Sequence, residues 1–376
     1  MTLALSIPVL LMLASCAGLP VRGSVGGQII ETRVDSEIAR YYLASYLAGK
    51  RGNAALDLRI DQLYQQANDH LPDRDELKKL SNDFSLDFSA LYLADRITRV
   101  PVNRRFRSVF DQAYDYTRNA FSAGGFKLAN LAANYELVFV PSYLYKRYPD
   151  TGADFAAPRA AARRAGLRHG FVETDEDGAI EENADLVANA IRARAHTGRR
   201  LILVSASKSG AEVALALTRL GADVTRHVVA WVNIVGALQG TPLADKRVLS
   251  EVSEELGKVD TAGMESLTTA RSRRRFHSFH IPESVLVVNY VGIPFTGSIS
   301  SRGGLGFSYL RNYGPNDGIA LLADAIFPRG VTLAELGRDH FLLDHQLDVT
   351  TVALAITVIR WLESEHSTVT RVPPSY

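Results

Sequence analysis

Apolar residues recur along this chain with two different periods, and the change from one to the other divides it. Between residues 35 and 125 the spacing is three to four, the period of helices with one buried face. Ile38, Tyr42 and Tyr46 in "DSEIARYYLASYLAGK" fall four apart, and Gly49 is placed to stop that helix. Leu56, Ile60, Leu63 and Tyr64 repeat the pattern. So do Phe88, Leu91 and Tyr92, and then Phe106, Val109, Phe110 and Ala113. Ser85 and Asn103 stand where N-caps are expected, because their side chains can accept from the free N–H groups of a first turn. The expectation is a small N-terminal helical domain packed against the rest of the chain. The basic run "RITRVPVNRRFR" within it reads as a solvated face, or as one resting against anionic lipid headgroups.

Over residues 126–366 the pattern changes to short apolar runs alternating with helical stretches. That alternation predicts an α/β fold, a mainly parallel sheet covered by helices on both faces. The strand-length runs are "ELVFVP", "GFVET", "LILVS", "HVVAWVNIVG" and "SVLVVNYVG". Helical periodicity returns in "EENADLVANAIRARAHTG", "GAEVALALTRLG" and "DVTTVALAITVIRWLESE". A long, mostly helical insertion at about 238–283 separates the last two of those strands and reads as a cap. Its Val248, Leu249, Leu256, Met264 and Leu267 could line an acyl pocket or pack the cap onto the sheet. Residues 367–376 read as a tail.

The first residues have a different character. Leu3 to Ala14 are largely apolar, too short for a membrane span of ~20 residues but suited to the core of a signal peptide. The run closes on Leu13-Ala14-Ser15-Cys16, which resembles the lipobox of bacterial lipoproteins, although no Lys or Arg precedes it. That resemblance implies a signal peptide over 1–15 and a lipid attached to Cys16, with the protein anchored in the cell envelope. Ala17 rather than Asp after the cysteine points the expectation to the outer membrane, facing the periplasm or the surface. Residues 16–34, rich in glycine at "GLPVRGSVGG", read as a linker or tether. Cys16 is the single cysteine of the 376 residues, so no internal disulfide can form. With 42 basic and 41 acidic residues the formal net charge is +1, without the basic excess of a nucleic-acid binder.

Chemistry enters at "LILVSASKSGAEVALAL". Three alternate serines, Ser205, Ser207 and Ser209, stand where a buried strand turns into a helix. Serines are common where strands end, but such a turn can also hold one serine with its hydroxyl exposed, as in the G-x-S-x-G nucleophile elbow. Ser207 would occupy the tip, Ser205 the strand end and Ser209 the first helical turn. A serine hydroxyl becomes nucleophilic only when a histidine takes its proton and a carboxylate orients that histidine. Downstream, Asp317 lies in the turn "NYGPNDG" and His340 in the loop "GRDHF" before the last helix. Asp324, in an apolar run, reads as structural, and His345 as a surface histidine or one set behind the site. His277 and His280 lack the cysteine or carboxylate partners of a metal site, and no cofactor-binding motif is found.

From about Tyr135 to Glu363 the chain resembles the α/β-hydrolase superfamily, and within it bacterial lipases and esterases. The resemblance rests on "SASKSG", "GPNDG", "GRDHF" and "GALQGTPLAD" in that family's order, with Ser205 and Ser209 standing where glycine is usual. It implies Ser207 as nucleophile, Asp317 as acid and His340 as base. It also implies an oxyanion hole made by the backbone N–H groups of Lys208 and of Ser142 or Tyr143, with Tyr143 preferred. The expected activity is hydrolysis of carboxylic esters, small or lipid-like, with no cofactor or metal. The alternative is an inactive hydrolase fold serving the envelope as a binding scaffold.

Overall fold

Leu201, Ile202, Leu203 and Val204 are all buried, although successive side chains of a strand point to opposite faces. A strand with no polar face must be covered on both sides, and the architecture supplies that cover. The computed structural model describes residues 18–26, 28–126, 128, 132–245, 261–342 and 346–369. It begins with an antiparallel hairpin, β1 (Leu19–Val25) and β2 (Gln28–Val34). Five helices follow: α1 (Glu37–Ala48), α2 (Ala54–Gln65), α3 (Arg74–Asp83), α4 (Leu86–Arg99) and α5 (Pro101–Ala123). Then β3 (Tyr135–Val140), β4 (His169–Phe171), β5 (Arg200–Ala206), β6 (Val228–Ile234), β7 (Leu286–Ile293) and β8 (Val331–Leu336) form one parallel sheet in the order β4-β3-β5-β6-β7-β8. The fold class is α/β, as the alternating pattern implies.

The two faces of that sheet have separate cores. Ile202 and Val204 pack with Phe139, Val232 and Tyr290 against α5, α6 (Ala156–Arg164) and the last helix. Leu201 and Leu203 pack with Val138 and Trp231 against α7 (Ile180–Ala195) and α8 (Lys208–Arg219). Helix α9 (Thr269–His277) and the one-turn helices Pro242–Asp245 and Thr261–Ser266 form the described part of the cap-like insertion. In it Leu267 and Met264 join the second core, whereas Val248, Leu249 and Leu256 lie outside the described residues. His277 and His280 are exposed. Helix α10 (Gly304–Leu310) and helix α11 (Leu347–Val369) are the last two α-helices among the described residues.

Several local expectations are revised. The tether expected over 16–34 is, from Leu19, the hairpin, whose Val21, Ile30 and Val34 are buried in a third core with α1 and α4. That core also takes in Val291, Ile293 and Leu336 of the sheet, so the N-terminal helices share a hydrophobic interior with β7 and β8. Ser85 caps α4, accepting from Phe88 N–H at 3.2 Å. Asn103 caps nothing: α5 begins two residues earlier at Pro101, whose missing N–H costs nothing in a first turn. Its side chain instead donates to Ile97 O and accepts from Thr332 N–H on β8. The basic run keeps the solvated face expected of it, with Arg99, Arg104 and Arg105 exposed, while some of these arginines also make contacts within the fold. Arg99 pairs with Asp95 at 3.1 Å, and Arg105 lies over the Trp361 ring.

Arg107 fastens α5 to the edge strand β8, pairing with Asp111 at 2.7 Å and with Glu335 at 2.8 Å. Burial raises the Glu335 carboxyl above the usual range, and Arg107 offsets part of that rise. A carboxyl whose folded pKa is raised holds its proton more tightly in the fold, so its stabilising contribution is lost as pH rises through the folded value. Arg107→Met leaves Glu335 buried without its cation and should cost about 3 kcal/mol near neutral pH. The deficit should shrink in acid, where Glu335 is protonated. Replacing both residues (R107M with E335L) should recover most of the loss, as read from denaturant midpoints against pH.

Candidate active site

Ser207 sits between β5 and α8 with φ 53° and ψ −124°, a conformation that L side chains rarely adopt. The strain is held by three backbone hydrogen bonds. Ser207 N–H donates to Ile234 O at 3.1 Å, and Ser207 O accepts from Gly210 and Ala237 N–H at 3.0 Å each. Gly210 is required in that turn, because a Cβ there would lie 2.6 Å from Asn233 Oδ1 on the neighbouring strand. The result is a hydroxyl turned away from the strand and only partly buried.

The flanking serines are occupied elsewhere. Ser205 Oγ, fully buried, accepts from the indole N–H of Trp231 at 2.8 Å. Ser209 Oγ lies 2.9 Å from both Val140 O and Ala206 O and 3.0 Å from Ala206 N, joining the first turn of α8 to the end of β3. Serine therefore fits both positions without displacing helix or strand.

Two loops bring partners to Ser207. His340 Nε2 is 2.9 Å from Ser207 Oγ, and His340 Nδ1 is 2.8 Å from Asp317 Oδ2. The Asp317 carboxylate is fixed in turn by its own loop, with Oδ1 accepting from Ile319 and Ala320 N–H at 3.0 and 2.8 Å. Backbone bonds join the loops as well, since His340 N–H donates to Asp317 O at 2.8 Å. With Nδ1–H directed at a buried carboxylate, Nε2 is left as the acceptor for the serine proton. Asp339 is also buried, and its Oδ2 accepts from Ser300 N–H at 2.8 Å, tying the approach to α10 to the histidine loop.

The Asp324 carboxylate is bound elsewhere, to Arg74. It is fully buried against Arg74 of α3, 3.2 Å from the guanidinium Nε, and burial raises its pKa to about 6. His345 lies outside the described residues. Cys16 does too.

Lys208 opens α8, so its N–H has no acceptor within that helix. Its side chain is buried and paired with Glu212 one turn on, and Glu212 also accepts from Asn183 Nδ2 at 2.9 Å. Neither Asn183 nor Glu212 stood out in the sequence, though the four-residue spacing of Lys208 and Glu212 is the signal of a helical ion pair. On the other side, Ser142 N–H is committed to Ala153 O at 2.9 Å. Tyr143 follows the end of β3, which Ser209 holds against the turn.

A row of buried polar side chains crosses the sheet behind these loops. Asn233, Asn289 and Thr332 occupy paired positions on β6, β7 and β8. Asn233 Nδ2 donates to Asn289 Oδ1 at 3.2 Å and to Ala325 O at 3.0 Å, and Asn289 Nδ2 donates to Phe327 O at 3.0 Å. The segment after Asp317 is thereby fastened to the strands that end beneath Ser207.

No family model and no curated protein matches the sequence. Among solved structures the chain is similar to a carboxyl esterase of metagenomic origin, at 21% identity and a TM-score of 0.51, covering 62% of this chain and 76% of that one. It is also similar to the mature form of a Bacillus licheniformis lipase, at 23% identity and a TM-score of 0.48, covering 60% and 91%. The likeness to the esterase shows the fold, and the fold is that of the α/β hydrolases.

Ser205→Ala should lower stability by about 1–3 kcal/mol, because it leaves the buried Trp231 N–H without an acceptor. Chemical denaturation checks this, and a neutral result would mean that the bond contributes nothing.

Proposed function

We propose that the protein is a serine hydrolase of carboxylic esters. The observation that carries this is the relay from Ser207 Oγ to His340 Nε2 at 2.9 Å and from His340 Nδ1 to Asp317 at 2.8 Å, built on a strained strand-to-helix turn. As Ser207 Oγ attacks the acyl carbon, His340 Nε2 takes its proton, and Asp317 stabilises the imidazolium that forms. Negative charge collects on the former carbonyl oxygen, where the N–H groups of Lys208 and Tyr143 donate. Collapse of that intermediate breaks the bond to the alcohol, which departs with the proton from His340, while the acyl group stays esterified to Ser207 Oγ. Water, activated by His340, then releases the acid and restores the hydroxyl.

The inactive-scaffold alternative needs a distorted turn, and the hydrogen bonds made by Ser205 and Ser209 argue against one. Lipases and esterases stand among the structures of similar fold, in keeping with an ester as substrate. A fluorophosphonate should label Ser207, and Ser207→Ala should abolish both labelling and nitrophenyl ester hydrolysis while leaving the fold intact. Asp317→Asn and His340→Ala should each lower turnover by several orders of magnitude without a comparable loss of stability. An active Ser207→Ala protein would refute the assignment.

We further propose that Cys16 becomes the first residue of the mature chain and carries acyl chains that hold the enzyme on the outer membrane. Among the described residues no helix is long and apolar enough to cross a membrane. Two or more acyl chains give a stable anchor where one does not. Cys16→Ala should move the protein out of the membrane fraction with its esterase activity nearly unchanged. A wild-type protein recovered in solution with Met1 still in place would overturn this part.

A further inference from the structure

We propose that Glu176 and Asn183, acting with Glu212, are positioning residues that set the two oxyanion donors relative to each other; this rests on the ester-hydrolase reading above. Those donors come from separate segments. Lys208 begins α8, and Tyr143 lies in the loop after β3. Both N–H groups must reach about 2.7–3.1 Å from one oxygen, so their separation has to be fixed before substrate arrives.

A continuous run of polar contacts spans the gap. The Lys208 ammonium pairs with Glu212, both side chains 2% exposed. Glu212 accepts from Asn183 Nδ2 at 2.9 Å. Asn183 in turn clasps Asp175, accepting from its N–H at 2.9 Å and donating to its carbonyl at 2.8 Å. The next residue, Glu176, holds the loop of Tyr143. Its carbonyl accepts from Leu144 N–H at 2.9 Å, and its carboxylate accepts from Lys146 and Arg147 N–H at 2.9 Å each. Tyr145 OH adds a bond to Thr174 O at 3.0 Å.

Two observations indicate that this run positions a peptide rather than only binding the fold together. Leu144 has φ 55°, a left-handed conformation unusual for leucine, and it adjoins the Tyr143 peptide. Such strain persists only where the surroundings over-determine it, and Glu176 supplies three of the hydrogen bonds that do so. The Lys208–Glu212 pair is almost wholly desolvated, and Glu212 Oε2 has no hydrogen-bond partner among the described residues. A buried pair of that kind adds little net stability, so its value lies in where it holds Lys208.

The test uses the full chain and a nitrophenyl ester. A donor displaced by about 1 Å can cost on the order of a hundredfold in rate. Glu176→Ala should therefore lower kcat by about tenfold or more. KM should stay near the wild-type value, since the donors act on charge that develops after binding. Affinity for a phenylboronic acid, whose adduct with Ser207 is tetrahedral, should fall by a similar factor. Glu176→Gln retains an acceptor oxygen and should recover most of the loss. Asn183→Ser, which shortens the clasp from its other end, should show the same split between kcat and KM. Wild-type kcat in both Glu176→Ala and Asn183→Ser, or losses confined to KM, would overturn the inference while the wild-type enzyme remains active. A wild-type protein with no ester turnover would overturn the hydrolase reading, and this inference with it.

Discussion

A serine held at positive φ is the constraint on which the rest of this structure turns. Left to itself, that peptide would relax by about 1–3 kcal/mol into an ordinary turn, and its hydroxyl would fold back toward the strand. It cannot relax, because the Ser207 backbone is bonded to Ile234 on one side and to Gly210 and Ala237 on the other. Each of those partners is fixed in turn. Ile234 ends a central strand, Gly210 is wedged against Asn233, and Ala237 follows Val235, whose own φ is 41°. Two strained residues, each one position past the end of the adjacent strands β5 and β6, are thus linked through Ile234 and Ala237.

The N-terminal helices take part in the same arrangement. Their core is continuous with the ends of β7 and β8, and Arg74 of α3 reaches across to Asp324. Asn103 at the start of α5 bonds the backbone of β8 at Thr332, the last member of the polar row that passes through Asn289 to Asn233. The chain therefore has a connected set of directional bonds from its helical region to the turn that bears Ser207. Apolar packing alone would tolerate small slips between these layers. Hydrogen bonds between side chains in register do not.

What could be read from the sequence was what local periodicity and short-range chemistry encode. The strand-helix alternation, the cap at Ser85 and the loops bearing Asp317 and His340 fall in that class. The hairpin was concealed by its glycines, although "VRGSVGGQIIETRV" places two strand-like runs around a Gly-Gly turn, a recognised hairpin signal. Helix α3 is mostly polar, with only Leu77 and Leu80 on its core side, and its clearest mark is the capping box formed by Asp73 and Glu76. Strand β8 carries Glu335 one residue from its end, which masks it until Arg107 is seen opposite. The roles of Asn183, Asn233 and Asn289 had no local signal. Their partners lie on other elements, and only the register of the sheet brings them together.

The bond between Ser205 and Trp231 also gives the molecule an internal reporter. The chain has two tryptophans, and Trp361 belongs to the opposite side of the sheet, packed on Phe106 beneath Arg105. Trp231 is buried completely, and its indole nitrogen is anchored two residues from Ser207. Indole emission depends on the polarity and hydrogen bonding around the ring. With Trp361 replaced by phenylalanine, the remaining emission comes from Trp231 and samples the strand end that carries the nucleophile, with no dye attached.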